Sequence, residues 1–273
     1  NSSGVVVFTT GSNEIFTSHT EADYTMSILT AGDGTGVAGD VVSIASTISG
    51  TGSTSITITD STILGDSAKV KLSATILKTS ITQKFKTVKL MKQLKVTSGT
   101  TDAYGTRPTD KTISLGRADA FNLVAVFDSE SASTDALAPE LTLITQSGTF
   151  TKGEKITGGT STATARIVDI VSPMSYVLST SIVFVSGETI TGSSSGATAV
   201  ISALTDGSIN VTNKFLFDTG MRDNFYDIAR ISRKPSVAAP IGRLLVIYDY
   251  MEHGSGDVLT VDSYIDIADQ MTY

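Results

Sequence analysis

Apolar residues along the chain recur at every second position or in short unbroken runs, the two patterns that strands produce. VVVFT at Val5–Thr9 is a strand candidate, and YTMSILT at Tyr24–Thr30 alternates with a period of two. Residues 41–45, Ser55–Thr59, 68–77 and 121–127 continue the series, and 244–248 form an unbroken apolar run of strand length. Gly, Ser and Asp separate these segments, as in the turn at 31–39 and in Ser49-Gly-Thr-Gly-Ser-Thr. Residues 257–264 read as a partner strand for the 244–248 run. No apolar run reaches the length of a membrane-spanning helix, so no membrane partner is expected.

The clearest organisation is an internal repeat. FTKGEKITGGTSTATA from Phe150 aligns with FVSGETITGSSSGATA from Phe184 at an offset of 34, with ten of sixteen positions identical. Each copy reads as a strand, a tight Gly/Ser turn and a second alternating strand, a hairpin that must pair to bury its apolar side. Two copies are too few for a solenoid and fit a small barrel or sandwich with internal pseudo-symmetry. The glycines at 153, 158, 187 and 192 do not read as a phosphate loop, because strand-type residues rather than a helix follow them.

Composition sharpens this picture. Ser and Thr together number 76 of 273 residues, and charged residues make up 17% of the chain, a mix that favours strands and turns. The absence of Cys excludes disulfides, thiolate metal sites and a cysteine nucleophile. The net charge of −7 argues against a general nucleic-acid partner. Eight of the thirteen lysines lie between 69 and 95, with no acid between Asp66 and Asp102. That local excess reads as solvated strand faces whose lysines block edge-to-edge pairing, rather than as a nucleic-acid site. The first residues carry no signal-peptide pattern and no initiator Met, and the chain reads as a segment of a longer product.

The expected fold is therefore all-β: several small β-sandwich or barrel-like domains with a tandem β-hairpin repeat. The expected divisions are a β-sandwich-like domain at 1–97, a linker and strand segment at 98–145, the tandem repeat at 146–206 and a C-terminal β domain at 207–273. The last carries a charged, aromatic segment from Phe215 onward. In it Asp218, Arg222, Asp223, Asp227, Arg230 and Arg233 alternate in sign closely enough to pair around a turn or short helix, with Phe225 and Tyr226 supplying packing. The cluster suits either an intrachain clamp or a contact between subunits, where Arg and Tyr are enriched. The candidate interface residues are Arg222, Asp223, Phe225, Tyr226, Arg230, Arg233, Tyr248 and Tyr250.

The string DTGMRDNFYDIARISRK, followed by APIGRLLVIYDYMEHGSGDVLTVDSY, resembles a segment of large virion structural proteins of T4-like tailed phages, cyanophage type. The hairpin repeat and ISLGRADAFNLVAVFDS are similar to elements of the same proteins, so the resemblance covers roughly residues 111–264. It implies a tail, baseplate or fibre component in the virion, without enzymatic activity, docking to other tail or baseplate proteins. A homo-oligomer, for instance a trimer, is expected. The alternative is a host receptor- or glycan-binding tail module. Asp249, Glu252, His253, Asp257 and Asp262 invite a metal or acid–base reading, but no calcium-loop spacing is present, and they are read as polar strand ends around a Gly turn. No Gly-x-Ser-x-Gly elbow occurs. No catalytic residue, cofactor or metal ligand is expected.

Overall fold

A computed structural model describes residues 3–267. The fold is all-β, with several small sheets and one closed barrel. The chain forms two compact units: residues 1–83 with 256–259, and residues 84–255 with 260–273. The boundary at Gln83 falls earlier than the expected one at 97, because the lysine-rich strand 86–96 is built into the second unit.

The first unit holds strands β1 (Val5–Thr9), β2 (Glu14–Phe16), β3 (Tyr24–Thr30), β4 (Val41–Val42), β5 (Ile48–Ser49), β6 (Ser55–Thr59), β7 (Lys69–Ala74) and β8 (Ile76–Lys78). They form two three-stranded sheets, β1-β6-β5 and β4-β3-β7, and a separate two-stranded pair, β2-β8. One core takes Ile56 and Ile58 from the first sheet and Tyr24, Met26 and Ile28 from the second, the in–out alternation of a small sandwich. Residues 256–259 return to this unit, where Asp257 accepts the Thr82 backbone N–H at 3.0 Å and pairs with Lys78 at 2.5 Å. The expected partner strand at 257–264 is not formed. Val258 makes only an isolated bridge to Gln83, and a 3-10 turn runs through Val261–Ile267.

The second unit contains β9 (Lys86–Val96), β10 (Thr112–Ala118), β11 (Ala120–Asp128), β12 (Glu140–Ser147), β13 (Lys155–Gly158), β14 (Thr164–Asp169), β15 (Met174–Leu178), β16 (Thr189–Gly192), β17 (Thr198–Thr205), β18 (Ile209–Asn210), β19 (Phe215–Asp218), β20 (Ile228–Arg233) and β21 (Leu244–His253). The stretch expected as linker and strand at 98–145 thus supplies β10, β11 and most of β12. The central sheet has the order β18-β11-β21-β9, and a second sheet the order β10-β20-β19. Every residue of β21 from Leu244 to Tyr250 is buried, because the strand is covered on both faces. Leu244, Val246, Tyr248 and Tyr250 pack with β10 and β20, while Leu245 and Ile247 pack with Val168 and Val177 of the barrel.

The barrel closes in the order β12-β15-β14-β13-β16-β17. The two repeats occupy equivalent places in it. Thr157 faces Thr191, its own counterpart 34 residues on, and Ile156↔Gly192 is mirrored by Gly158↔Ile190. A pseudo-twofold axis therefore passes between β13 and β16. The core repeats likewise, with Phe150, Ile156, Ala163 and Ala165 matched by Phe184, Ile190, Ala197 and Ala199. The expected pseudo-symmetric small barrel is what the repeat builds.

Candidate functional site: a clasped hairpin tip and three buried carboxylate sites

The hairpin β19–β20 carries the charged segment. Asp218 at the end of β19 and Arg230 in β20 are cross-strand partners, and their side chains meet at 3.0 Å. Arg222 binds both Asp218 at 2.9 Å and Asp227 at 3.3 Å, and Arg230 binds Asp227 at 2.5 Å. Two guanidinium groups and two carboxylates thus close the loop at its neck. The Arg222 guanidinium and the Gly220 N–H hold the Asp218 carboxyl far below the usual carboxylate range. Beyond the neck the tip presents Met221 and Phe225, the latter 58% exposed, with Asp223 and Asn224 between them. Of the six alternating charges, Asp223 stands outside the clasp, and Arg233 reaches the Thr109 carbonyl at 3.4 Å instead. Packing by Phe225 is not what the fold shows: its ring points to solvent.

Two candidate interface residues need correction. Tyr248 is fully buried and donates its hydroxyl to the Leu115 carbonyl at 2.8 Å, with burial pushing its ionisation up to about 12. Tyr250 is also buried, its ring 6.0 Å from that of Tyr248 and 5.4 Å from the Arg117 guanidinium. Both lie on an inner strand of a covered sheet, and Tyr250 shows only a small part of its ring, at an open depression.

Tyr226 turns inward to a buried polar cluster that sequence reasoning missed. Lys86, fully buried, places Nζ 2.6 Å from Oδ2 of Asp119, and His253 Nε2 stands 2.6 Å from the same oxygen. Nζ also donates to the Tyr226 hydroxyl at 2.7 Å and lies 4.5 Å and 4.6 Å from the Tyr226 and Tyr264 ring centres. Burial pulls the Lys86 ammonium down, but its bonds to Asp119, Tyr226 and Tyr264 outweigh that and leave it above the ordinary lysine value. Asp119 occupies a one-residue joint between β10 and β11 with φ of +54°. His253 is accordingly a strand residue with a carboxylate partner rather than a solvated turn residue.

Asp249 makes the second such site. It accepts the N–H of Met91, the bulged residue of β9 with φ of +54°, at 2.7 Å, and also Asn122 at 2.9 Å and Arg166 of the barrel at 3.0 Å. Asp249 and Asp257 bind different partners, and Glu252 pairs with Lys89 at 3.2 Å. Among the described residues no group of three His, Cys, Asp or Glu side chains gathers around a metal-sized space. The lysine-rich stretch is divided between the units, and Lys78, Lys86, Lys89 and Lys95 each pair with an acid. β9 is an edge strand, as the reading of its lysines as pairing blockers requires.

In the barrel, the spacing common to the two repeats has a specific use. Glu154 accepts the backbone N–H groups of Ser194 and Ser195 and both hydroxyls, and Glu188 accepts those of Thr160 and Ser161 with the Ser161 hydroxyl. Each repeat's glutamate fills the other repeat's Gly/Ser turn. Burial raises both carboxyls, but these donors, together with the Thr151 N–H on Glu154 and the Val185 N–H on Glu188, more than offset it and leave both below the ordinary value. Turns with this anion-cradling shape are therefore occupied from within the chain. A Cβ on Gly158 would lie 2.6 Å from Glu188 Oε2, and one on Gly192 2.7 Å from Glu154 Oε2, so the glycines make room for the carboxylates.

Two exposed features remain. In the 98–110 loop Tyr104 is 65% exposed with the Arg107 guanidinium 5.8 Å from its ring centre, and Asp110 grips Arg107 at 2.7 Å. An open depression of about 380 Å³ is lined by Arg117, Tyr250 and the end of β21. No protein family, no curated protein and no solved structure matches the chain.

Proposed function

We propose that the chain is a non-enzymatic structural component of a phage virion, in the tail, baseplate or fibre, acting by self-assembly and by docking to neighbouring tail proteins. The observation that carries the reading is the hairpin tip. The segment that bears the phage resemblance folds into a clasped, outward-pointing loop whose apolar tip, Met221 and Phe225, is held by Asp218, Arg222, Asp227 and Arg230. Such a tip loses little freedom on binding, which favours a specific protein contact. The covered central sheet and the closed barrel supply the rigid frame for it.

Proteomics of purified particles, separated into heads and tails and crosslinked, tests the assignment. Peptides from the tail fraction support it, and absence from particles refutes it. Light scattering after sizing tests self-assembly: the chain is expected as an oligomer, for instance a trimer, and Phe225→Ser with Met221→Ser is expected to shift it toward monomer. A second reading, a host receptor- or glycan-binding module, draws on Tyr104, an exposed ring with a planar guanidinium beside it, the pairing that sugar sites use. Glycan-panel binding lost in Tyr104→Ala would favour it over the structural reading.

A further inference from the structure

The cluster around Lys86 has a geometry that an ordinary ion pair does not need. β21 lies between β9 and β11; Lys86 sits at the start of β9, and Asp119 in the joint immediately before β11. His253, on the middle strand, is the register partner of Lys86. The Met251 N–H donates to the Asp119 carbonyl at 2.9 Å, which fixes the joint that carries the carboxylate. Lys86 and Asp119 have side chains 0% and 2% exposed, and two tyrosine rings close over Nζ. An amine and a carboxyl are thereby held together out of water, with a partly exposed imidazole, 24% accessible, against the same carboxylate oxygen.

We propose that Lys86 and Asp119 condense into an intramolecular isopeptide bond, with His253 as the proton carrier. The unreacted pair is ionised, so the first step returns one proton from Nζ to Oδ2 across 2.6 Å. The Nζ lone pair then adds to Cγ. Protonated His253, whose Nε2 stands at Oδ2, gives that oxygen a proton as the Cγ–Oδ2 bond breaks, and water leaves. The carbonyl re-forms on Oδ1, and the surplus proton on the new amide nitrogen returns to His253. One ammonium and one carboxylate become one amide and one water, with no oxidant or co-reactant. Tyr226 holds Nζ in place through its hydroxyl at 2.7 Å.

Two physical terms favour closure. Fixed proximity replaces an encounter, the largest advantage an intramolecular reaction has. A neutral amide also removes the desolvation penalty that two buried charges carry. The product suits a load-bearing protein. β9 is an edge strand whose one neighbour in its sheet is β21. The bond ties β9 to the β10–β11 joint across β21. Its existence does not depend on the virion reading.

The test is the intact mass of the purified, denatured 273-residue chain, followed by tryptic mapping. Expected are a mass lower than that of the sequence by one water, and a branched peptide joining Lys86 to Asp119, with no cleavage after Lys86. Lys86→Arg and Asp119→Ala are expected to restore the mass calculated from their sequences, and His253→Ala to slow the mass change over time. An unmodified mass for the folded wild-type chain overturns the proposal, as does a water loss confined to one linear peptide, which would mark a succinimide. Because both decisive readings come from the wild-type chain, a variant that fails to fold leaves the test intact.

Discussion

Ser195 donates its hydroxyl to the carboxylate of Glu154, 41 residues earlier, at 2.9 Å, and Ser161 gives Glu188 the equivalent bond at 2.8 Å. The two halves of the barrel lock each other by the same side chains in exchanged roles: each Gly/Ser turn closes on its own backbone and takes its carboxylate from the other repeat.

This lock predicts acid sensitivity with a definite sign. Both carboxyls are depressed below their ordinary 4.5, so their contribution is complete above that pH and is lost as pH falls toward the folded values. Glu154→Gln with Glu188→Gln is expected to lower stability at neutral pH by about 1–3 kcal/mol per site, the cost of weakened buried charge-assisted bonds. Below pH 4.5 the gap between wild type and variant narrows. Urea midpoints measured across that range check it, and curves that run parallel at all pH values would refute the assignment.

One break in the pseudo-symmetry is directly measurable. Gly153 and Gly187 are equivalents with φ of +86° and +87°. A Cβ at 153 would lie 2.6 Å from Leu90 Cδ1 of the central sheet, while one at 187 meets nothing within 4 Å. Ala at either site incurs about 1 kcal/mol of left-handed strain. Gly153→Ala adds overpacking, about 1–3 kcal/mol more. Equal losses in thermal or urea unfolding would mean that Leu90 moves aside freely.

Much of this architecture could be read from the residues. Ten identities in sixteen positions announced paired hairpins, and the barrel and its twofold follow from them. The shared glutamates were visible too, but a glutamate that caps a turn in a different repeat looks like a strand residue when each copy is read alone. The boundary at 97 was misplaced because β9, with its alternating lysines, continues the pattern of β7. Tyr248 ends an unbroken apolar run, itself the sign of a strand covered on both faces, whereas Tyr250 follows Asp249 and its burial has no such mark in the sequence. Asp119 and Lys86 lie 33 residues apart without a motif, and only the pairing of β9 and β11 with β21 unites them.

Asp249 ties the central sheet to the barrel. Removing it strands the Met91 N–H in the bulge and leaves Arg166 without its carboxylate. Asp249→Ala is expected to cost about 3–5 kcal/mol, the range for breaking a buried ion pair by deleting one partner. Asp249→Asn, which retains an acceptor for Met91, should cost less. If both variants unfold at the wild-type urea midpoint, the tie contributes nothing to the fold.

The clasp at the hairpin neck makes the opposite prediction, a local effect without a global one. Its four charged groups are all about a third exposed, so solvent and salt screen them and the global unfolding midpoint of Arg222→Ala should stay near that of wild type. What the clasp does is hold the loop 219–227, through the Arg222 fork on Asp218 and the Arg222 N–H bonded to the Phe225 carbonyl at 3.0 Å. Without the fork, amides in that loop should exchange hydrogen faster, while those of β20 and β21 keep their protection. High salt should shift wild type in the same direction. If the tip is the docking element, the same variant also self-associates more weakly at unchanged stability, because a loosened Phe225 must be ordered on binding. Unchanged exchange in 219–227 would show that backbone pairing alone holds the tip, and the charges would then have no part in presenting it.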